Sequence, residues 1–247
     1  MSGGAKRSRS PRDPIERIRR DGDFVYRRHG RTIRDAQTLE RIAKLAIPPA
    51  WQHVEISASS TGKVQARGID AAGRRQAIYH QQFRNRQDRA KFARLAEFGS
   101  HLPALRTQLR RDLRRTGLPE EKVLAALIRL IDLHLLRLGN PRYTAEYASF
   151  GAITLRRRHA NFSAHAADFA FVGKSGQPQQ LQVRDAELLA VLRELEQQPG
   201  HEFFRIHNGA GKYRLVRGEQ VNAYLHEYLG PEFSAKDFRT FGAPASH

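Results

Sequence analysis

The chain has 247 residues, 40% hydrophobic and 28% charged, which is enough for one large or two ordinary domains, each with its own core. Its 43 Lys and Arg against 25 Asp and Glu give a formal charge of +18 spread along the whole length, a field that attracts polyanions, nucleic acid first and anionic membrane surface second. The absence of Cys excludes disulfides, thiolate zinc sites and a thiol nucleophile.

The first twelve residues, "MSGGAKRSRSPR", read as a disordered basic arm. No apolar stretch follows them, so they are not a secretory signal, and no run reaches membrane-spanning length. A cytoplasmic, nucleoid-associated protein without membrane contact is the expectation. "DFVYRR" alternates as a strand does. "DAQTLERIAKLAI" puts Leu39, Ile42, Ala43 and Leu45 at helical spacing behind an Asp35 cap, and "IPPAW" stops it. "HVEISAS", "KVQARGID" and "RQAIYH" read as three strands joined by "STG" and "AAGR" turns. "RNRQDRAKFARLAEFG" returns to helix and is expected to run out at Gly99.

Beyond residue 100 helix dominates. Leu105, Leu109 and Leu113 form one stripe that Gly117 ends. "PEEKVLAALIRLIDLHLLRLGN" begins with Pro and acids at its positive end and is expected to stay helical to Gly139-Asn140. Its middle is apolar nearly all round, so it is a core helix. "AHAADFAFVGKSGQPQQLQV" reads as two strands around a Gly-flanked turn. "DAELLAVLRELEQQPG" and "EQVNAYLHEYLG" are amphipathic helices, and Ser234 caps "AKDFRTF". The fold class is α+β: a tail (1–12), an N-terminal antiparallel β-sheet domain with helices (13–99), and a mainly helical domain containing a β-hairpin (100–247).

Three residues invite a chemical reading. Arg137, placed in the last turn of the apolar helix, has no acid at i−3 or i−4. A guanidinium held in a buried place needs an anion, and Arg grips phosphate with two parallel bonds. The plainer reading is a cation at the negative end of the helix dipole. Lys174 sits in the tight turn "GKSG", where Gly173 and Gly176 allow close backbone approach; solvated turn decoration is the alternative. Arg239 stands near Asp237 and Glu232, which makes a surface salt bridge its ordinary explanation.

Taken together and in order, "IPPAWQHVEI", "GKVQARGIDAAGRRQAIYH", "LIRLIDLHLLRLGNPRYTAEYASFGAITLRRRH", "FVGKSGQ" and "VNAYLHEYLGPEFSAKDFRTF" resemble the small type IB DNA topoisomerases of bacteria and large DNA viruses, over about residues 23–242. The resemblance implies relaxation of supercoiled duplex DNA through a 3′-phosphotyrosyl intermediate, without metal, ATP or any cofactor, by a monomer around the duplex. It gives Arg137 and Arg239 the role of donors to the strained phosphate and Lys174 that of general acid for the leaving 5′-oxygen. It makes the N-terminal sheet a clamp whose strand "GRRQAIYH" faces DNA, with Arg67, Arg74, Arg75, Gln76 and Tyr79 as contacts, although Ala77 departs from the aromatic often found there.

The family site also needs a His and a nucleophilic Tyr downstream of "KDFRT". None of the seven Tyr matches the nucleophile, Tyr224 and Tyr228 read as core, and His247 does not take the His role. The expectation is a chain truncated before its site is complete, one that binds DNA without cutting it and exposes an apolar patch. A non-catalytic DNA clamp and a tyrosine recombinase relative are the alternatives.

Overall fold

A computed structural model of the chain describes residues 13–207 and 212–242. The basic arm 1–12 and His247 lie outside the described residues. The described part divides into two compact units that meet at Lys91 and Phe92.

The first unit is an antiparallel sheet of six strands, β1 (Ile15–Arg20), β2 (Asp23–Arg28), β3 (Arg31–Thr32), β4 (Gln52–Ile56), β5 (Val64–Ile69) and β6 (Arg75–Tyr79), in the order β3-β2-β1-β4-β5-β6. One helix, α1 (Ala36–Lys44), accompanies it. Asp35 caps α1, its carboxylate accepting from the Thr38 N–H at 2.8 Å. Ile15, Ile42, Val54, Ile56 and Ala66 form the core, flanked by Trp51 and Ile78. "IPPAW" is held by Arg17, which donates to the carbonyls of Ile47, Pro48 and Trp51 and lies over Phe24. β1 and β3 carry no clear sequence signal. In "IERIRR" the inward position between the isoleucines is an Arg, and that Arg is Arg17.

Helix α2 (Gln81–Leu113) is unbroken over 33 residues, which corrects the expected end at Gly99. Phe98, Leu102, Leu105, Leu109 and Leu113 are buried along it, so packing carries the helix past Gly99 and Pro103. Gly99 is a notch: a Cβ there would lie 2.8 Å from the Phe241 ring.

In the second unit α3 (Glu120–His134) is the central helix, buried from Lys122 to Ile131 except at Arg129. It ends at Leu135, which adopts the left-handed region at φ 53° and ψ 37°, five residues before the expected Gly139-Asn140 stop. A short helix, α4 (Pro141–Tyr147), and a three-stranded antiparallel sheet of β7 (Ala160–Phe162), β8 (Ala167–Val172) and β9 (Pro178–Val183) follow. Next come α5 (Ala186–Glu196), the hairpin β10 (Arg205–His207) and β11 (Tyr213–Leu215), α6 (Gly218–Leu229) and α7 (Ala235–Gly242). Tyr224 is buried and donates to Asp112 at 2.6 Å, with Tyr228 against its ring, as the core reading of that pair requires. Leu133 and Phe241 are the large apolar side chains left over 40% exposed around the ends of α3 and α7. No helix among the described residues is long and apolar enough to cross a membrane.

Candidate phosphate-binding site

The three singled-out residues meet in the second unit. A cavity of about 140 Å³ is lined by Leu136, Arg137, Phe150, Gly151, Phe171, Gly173, Lys174, Gln177, Gln179 and Arg239. A second hollow of about 270 Å³ lies on the other side of Arg137 and Arg239 and adds Asn222, Ser234 and Lys236.

Arg137 is delivered by a backbone crossing. Once α3 has ended at Leu135, the carbonyls of Arg137 and Leu138 accept from the N–H groups of Ala152 and Ile153, both at 2.9 Å. Gly151 passes directly over Gly139. A Cβ on Gly151 would fall 2.6 Å from the Gly139 N and Cα and 2.7 Å from the Arg137 carbonyl oxygen. Thr154 clasps the turn, its hydroxyl accepting from the Gly151 N–H and donating to the Gly151 carbonyl. This is the physical content of "RLGN" and "SFG": two glycines let two chain segments touch, and the contact fixes where Arg137 starts. The side chain itself is exposed and lies beyond the helix, so the picture of a guanidinium on a buried last turn is corrected. Its freedom from carboxylates holds: Asp132 pairs with Arg106 and Arg129, and none of the described residues forms an ion pair with Arg137.

Lys174 is delivered by the β8–β9 hairpin. The Gly173 N–H donates to the Gln177 carbonyl at 2.7 Å, while Ser175 and Gly176 turn the chain with φ of 63° and 72°. Gly173 is buried beneath Gln179, whose Cγ would stand 2.9 Å from an added Cβ. The bareness of Gly173 serves hairpin packing at the edge of the cavity, while Gly176 supplies the positive φ. The Phe150 N–H donates to the Val172 carbonyl and ties this hairpin to the Arg137 crossing.

Arg239 is delivered by α7. Ser234 and Asp237 cap the helix reciprocally: the Ser234 N–H and hydroxyl both donate to Asp237 Oδ2, at 2.8 and 3.1 Å. Asp237 also pairs with Arg94, which donates to the Glu232 carbonyl as well. Asp237 is thus engaged away from Arg239, and among the described residues Glu232 forms no ion pair with Arg239. Arg239 instead donates to the Leu135 carbonyl at 2.5 Å, at the end of α3. Burial, and then the neighbouring Arg137 cation, lower its pKa from the usual guanidinium range. The two guanidiniums repel one another, and among the described residues no carboxylate pairs with either.

His159 stands behind the cavity wall. Its Nδ1 accepts from the Arg156 N–H at 3.1 Å and its ring meets Phe150 edge-on at 4.4 Å. Burial, then Arg158 and Arg156, push its pKa down and favour the neutral ring. Gln177 and Gln179 reach the cavity through the hairpin register and left no mark in sequence spacing. None of the seven tyrosines lines the cavity or the adjoining hollow.

The expected contacts of the first unit lie on β5, β6 and the turn before β6. Gln76 pairs with Gly68 across the ladder and shares its face with Ile78, while Arg67, Arg75 and Tyr79 fall on the other. Gln76 and Tyr79 are therefore not side by side. The Gln76 amide donates to Asp70 at 2.8 Å, Arg74 pairs with the same carboxylate, and Tyr79 packs on Phe83 beneath Lys63.

The family profile "Eukaryotic DNA topoisomerase I, catalytic core" matches residues 80–246, and "Bacterial DNA topoisomerase IB, N-terminal domain" matches residues 23–70. The chain is 31% identical to DNA topoisomerase 1B of Acanthamoeba polyphaga mimivirus, over 83% of its own length and 62% of the relative's. It is 24% identical to DNA topoisomerase 1 of Mycosarcoma maydis, over 65% of its own length and 17% of the relative's. It thus spans less than two thirds of either relative. A solved XerH site-specific recombinase bound to difH substrate aligns with a TM-score of 0.35 at 11% identity, over 55% of this chain and 39% of that one.

Proposed function

The chain belongs to the type IB DNA topoisomerase family, and on that premise we propose that it binds duplex DNA and seats one backbone phosphate in the Arg137–Lys174–Arg239 cavity. The observation that carries this reading is the pair of neighbouring guanidiniums, Arg137 and Arg239, set in one cavity with Lys174 and paired with no carboxylate among the described residues.

In the chemistry proposed for the site, a tyrosine hydroxyl gives up its proton to water and its oxygen attacks phosphorus to form a P–O bond. The P–O5′ bond breaks, and the departing 5′-oxygen takes a proton from the Lys174 ammonium. The two arginines donate to the non-bridging oxygens, whose charge grows as five oxygens crowd the phosphorus. Reversal reseals the strand. The described residues supply the phosphate donors and the acid, and no tyrosine at the cavity. For the 247-residue polypeptide we therefore propose DNA binding without strand cleavage, the reading of a non-catalytic clamp.

The test is relaxation of supercoiled plasmid by the folded polypeptide, with chelator and without ATP, run beside a binding titration and a denaturing gel for covalent adducts. Binding without relaxation or adduct is the expected result. Relaxation would place a nucleophile within the chain, and absence of binding would remove the reading altogether.

A further inference from the structure

The arrangement that marks the phosphate cavity occurs a second time in the same unit. At the cavity, part-buried Arg239 donates to a main-chain carbonyl, that of Leu135, with exposed Arg137 beside it. Some residues away, Arg205, only 4% exposed, donates to the Gln198 carbonyl at 2.8 Å, and exposed Arg157 donates to the same oxygen at 3.2 Å. Arg205 Nε is buried without a partner, and neither arginine forms an ion pair among the described residues. The Arg205 guanidinium lies against Gly200, where an added Cβ would come within 1.9 Å of its Nη1. Gly200 in turn lines a hollow of about 400 Å³ together with Arg156, Arg157, Arg158, Glu196 and His201. Glu202 acts on Arg205 through space, raising its pKa against the lowering by burial, and among the described residues neither Glu196 nor Glu202 forms an ion pair with a cation.

The turn 156–159 links this hollow to the first cavity. The guanidiniums of Arg156 and Arg158 lie 5.4 and 6.0 Å from the centroid of Phe150, and Phe150 lines the phosphate cavity. A small anion would fill one hollow and leave the other. A connected polyanion fits both.

We propose that the hollow lined by Arg156, Arg157, Arg158, Glu196 and His201, with Arg205 packed against its Gly200 wall, is a second phosphate site that holds the DNA backbone beside the reacting phosphate. It rests on the DNA-binding reading given above and extends it to a named track. Arg157 and Arg158 are positioning residues here: they hold the strand in register and touch no reacting atom.

Each phosphate neutralised by a cation lowers the slope of log affinity against log salt by about 0.9. The test is anisotropy titration of a short labelled duplex with the full chain over a several-fold salt range. Arg157→Gln with Arg158→Gln is expected to flatten the slope by about one to two units, evenly across DNA sequences. Arg157→Lys with Arg158→Lys is expected to keep most of the slope. Arg110→Gln with Arg111→Gln, exposed on α2 and removing the same charge, is expected to change it little. Arg158→Gln alone disturbs no hydrogen bond among the described residues and reports half the effect if the double variant folds poorly. An unchanged slope in the Gln variants, or an equal loss in the α2 control, overturns the second site while leaving the DNA-binding reading intact. A wild-type chain with no affinity for duplex overturns both.

Discussion

The two units treat their polar side chains in opposite ways. In the first, Asp70 gathers two of the residues expected to touch DNA, Arg74 and Gln76: its carboxylate accepts from the Ala72 and Arg74 N–H groups, from the Arg74 guanidinium and from the Gln76 amide. In the second, Arg137 and Arg239 are placed by backbone contacts and pair with no carboxylate among the described residues. An engaged donor must exchange one partner for another when a ligand arrives, so its net contribution to binding is small. An unpaired cation gives up little beyond water. On the proposed reading, the second unit carries the stronger grip on phosphate.

The strongest way to break this contrast is to disturb the backbone crossing. Gly151→Ala places a methyl group 2.6 Å from the Gly139 backbone, and backbone cannot swing aside as a side chain does. We expect a loss of about 3 kcal/mol in the second unit, together with weakened duplex binding as Arg137 moves. Far-UV circular dichroism in urea reads the helices. Trp51 is the sole tryptophan and lies in the first unit, so its fluorescence serves as an internal reference. Equal shifts in both signals, or none, would show that the crossing is not what holds the site.

A smaller effect is expected from Asp70→Ala. The carboxyl is held down at about 2, first by the Arg74 N–H and the Gln76 amide, so it stays ionised through the ordinary pH range. Removing it loosens the β5–β6 turn and frees Gln76 and Arg74. The Trp51 transition should move to lower urea while duplex affinity holds or rises. A fall in affinity larger than that caused by Arg239→Ala would reverse the contrast between the units.

How much of this was legible in sequence follows the same division. The alternation of β2, β4, β5 and β6, the Asp35 cap, the Gly-flanked hairpin and the Ser234 cap are local signals, and local chemistry forms them. β1 was hidden because Arg17 spends its charge on three carbonyls across the unit, a long-range use that no window of sequence displays. Gly99 looked like a stop because its reason for being Gly is Phe241, far along the chain. The early end of α3 has the same origin: Ala152, Ile153 and Arg239 claim the carbonyls that further helix would have used. At the site, Arg137, Lys174 and Arg239 could be named from their motifs, whereas Phe150, Gln177 and Gln179 are brought in only by the fold.

The smallest expected effect concerns His159, where the charge of the second unit acts on its own wall. The ring is held neutral by burial and by Arg158 and Arg156, and its Nδ1 accepts a backbone N–H that a protonated ring could not accept. The unfolded chain takes up this proton near pH 6.5, the folded chain only at lower pH. Between those values the unfolded state binds more protons, so stability falls as pH falls and is unaffected by this group above about 7. His134, also lowered by burial, adds to the loss in the same direction. His159→Gln keeps an acceptor for the Arg156 N–H and removes the titration. Its unfolding free energy in the second unit should be flatter than wild type between pH 7 and 5, with the His134 share of the slope retained. If both proteins lose stability along the same slope, protonation of His159 does not oppose the fold, and the cations around it are screened by solvent more completely than the cavity geometry implies.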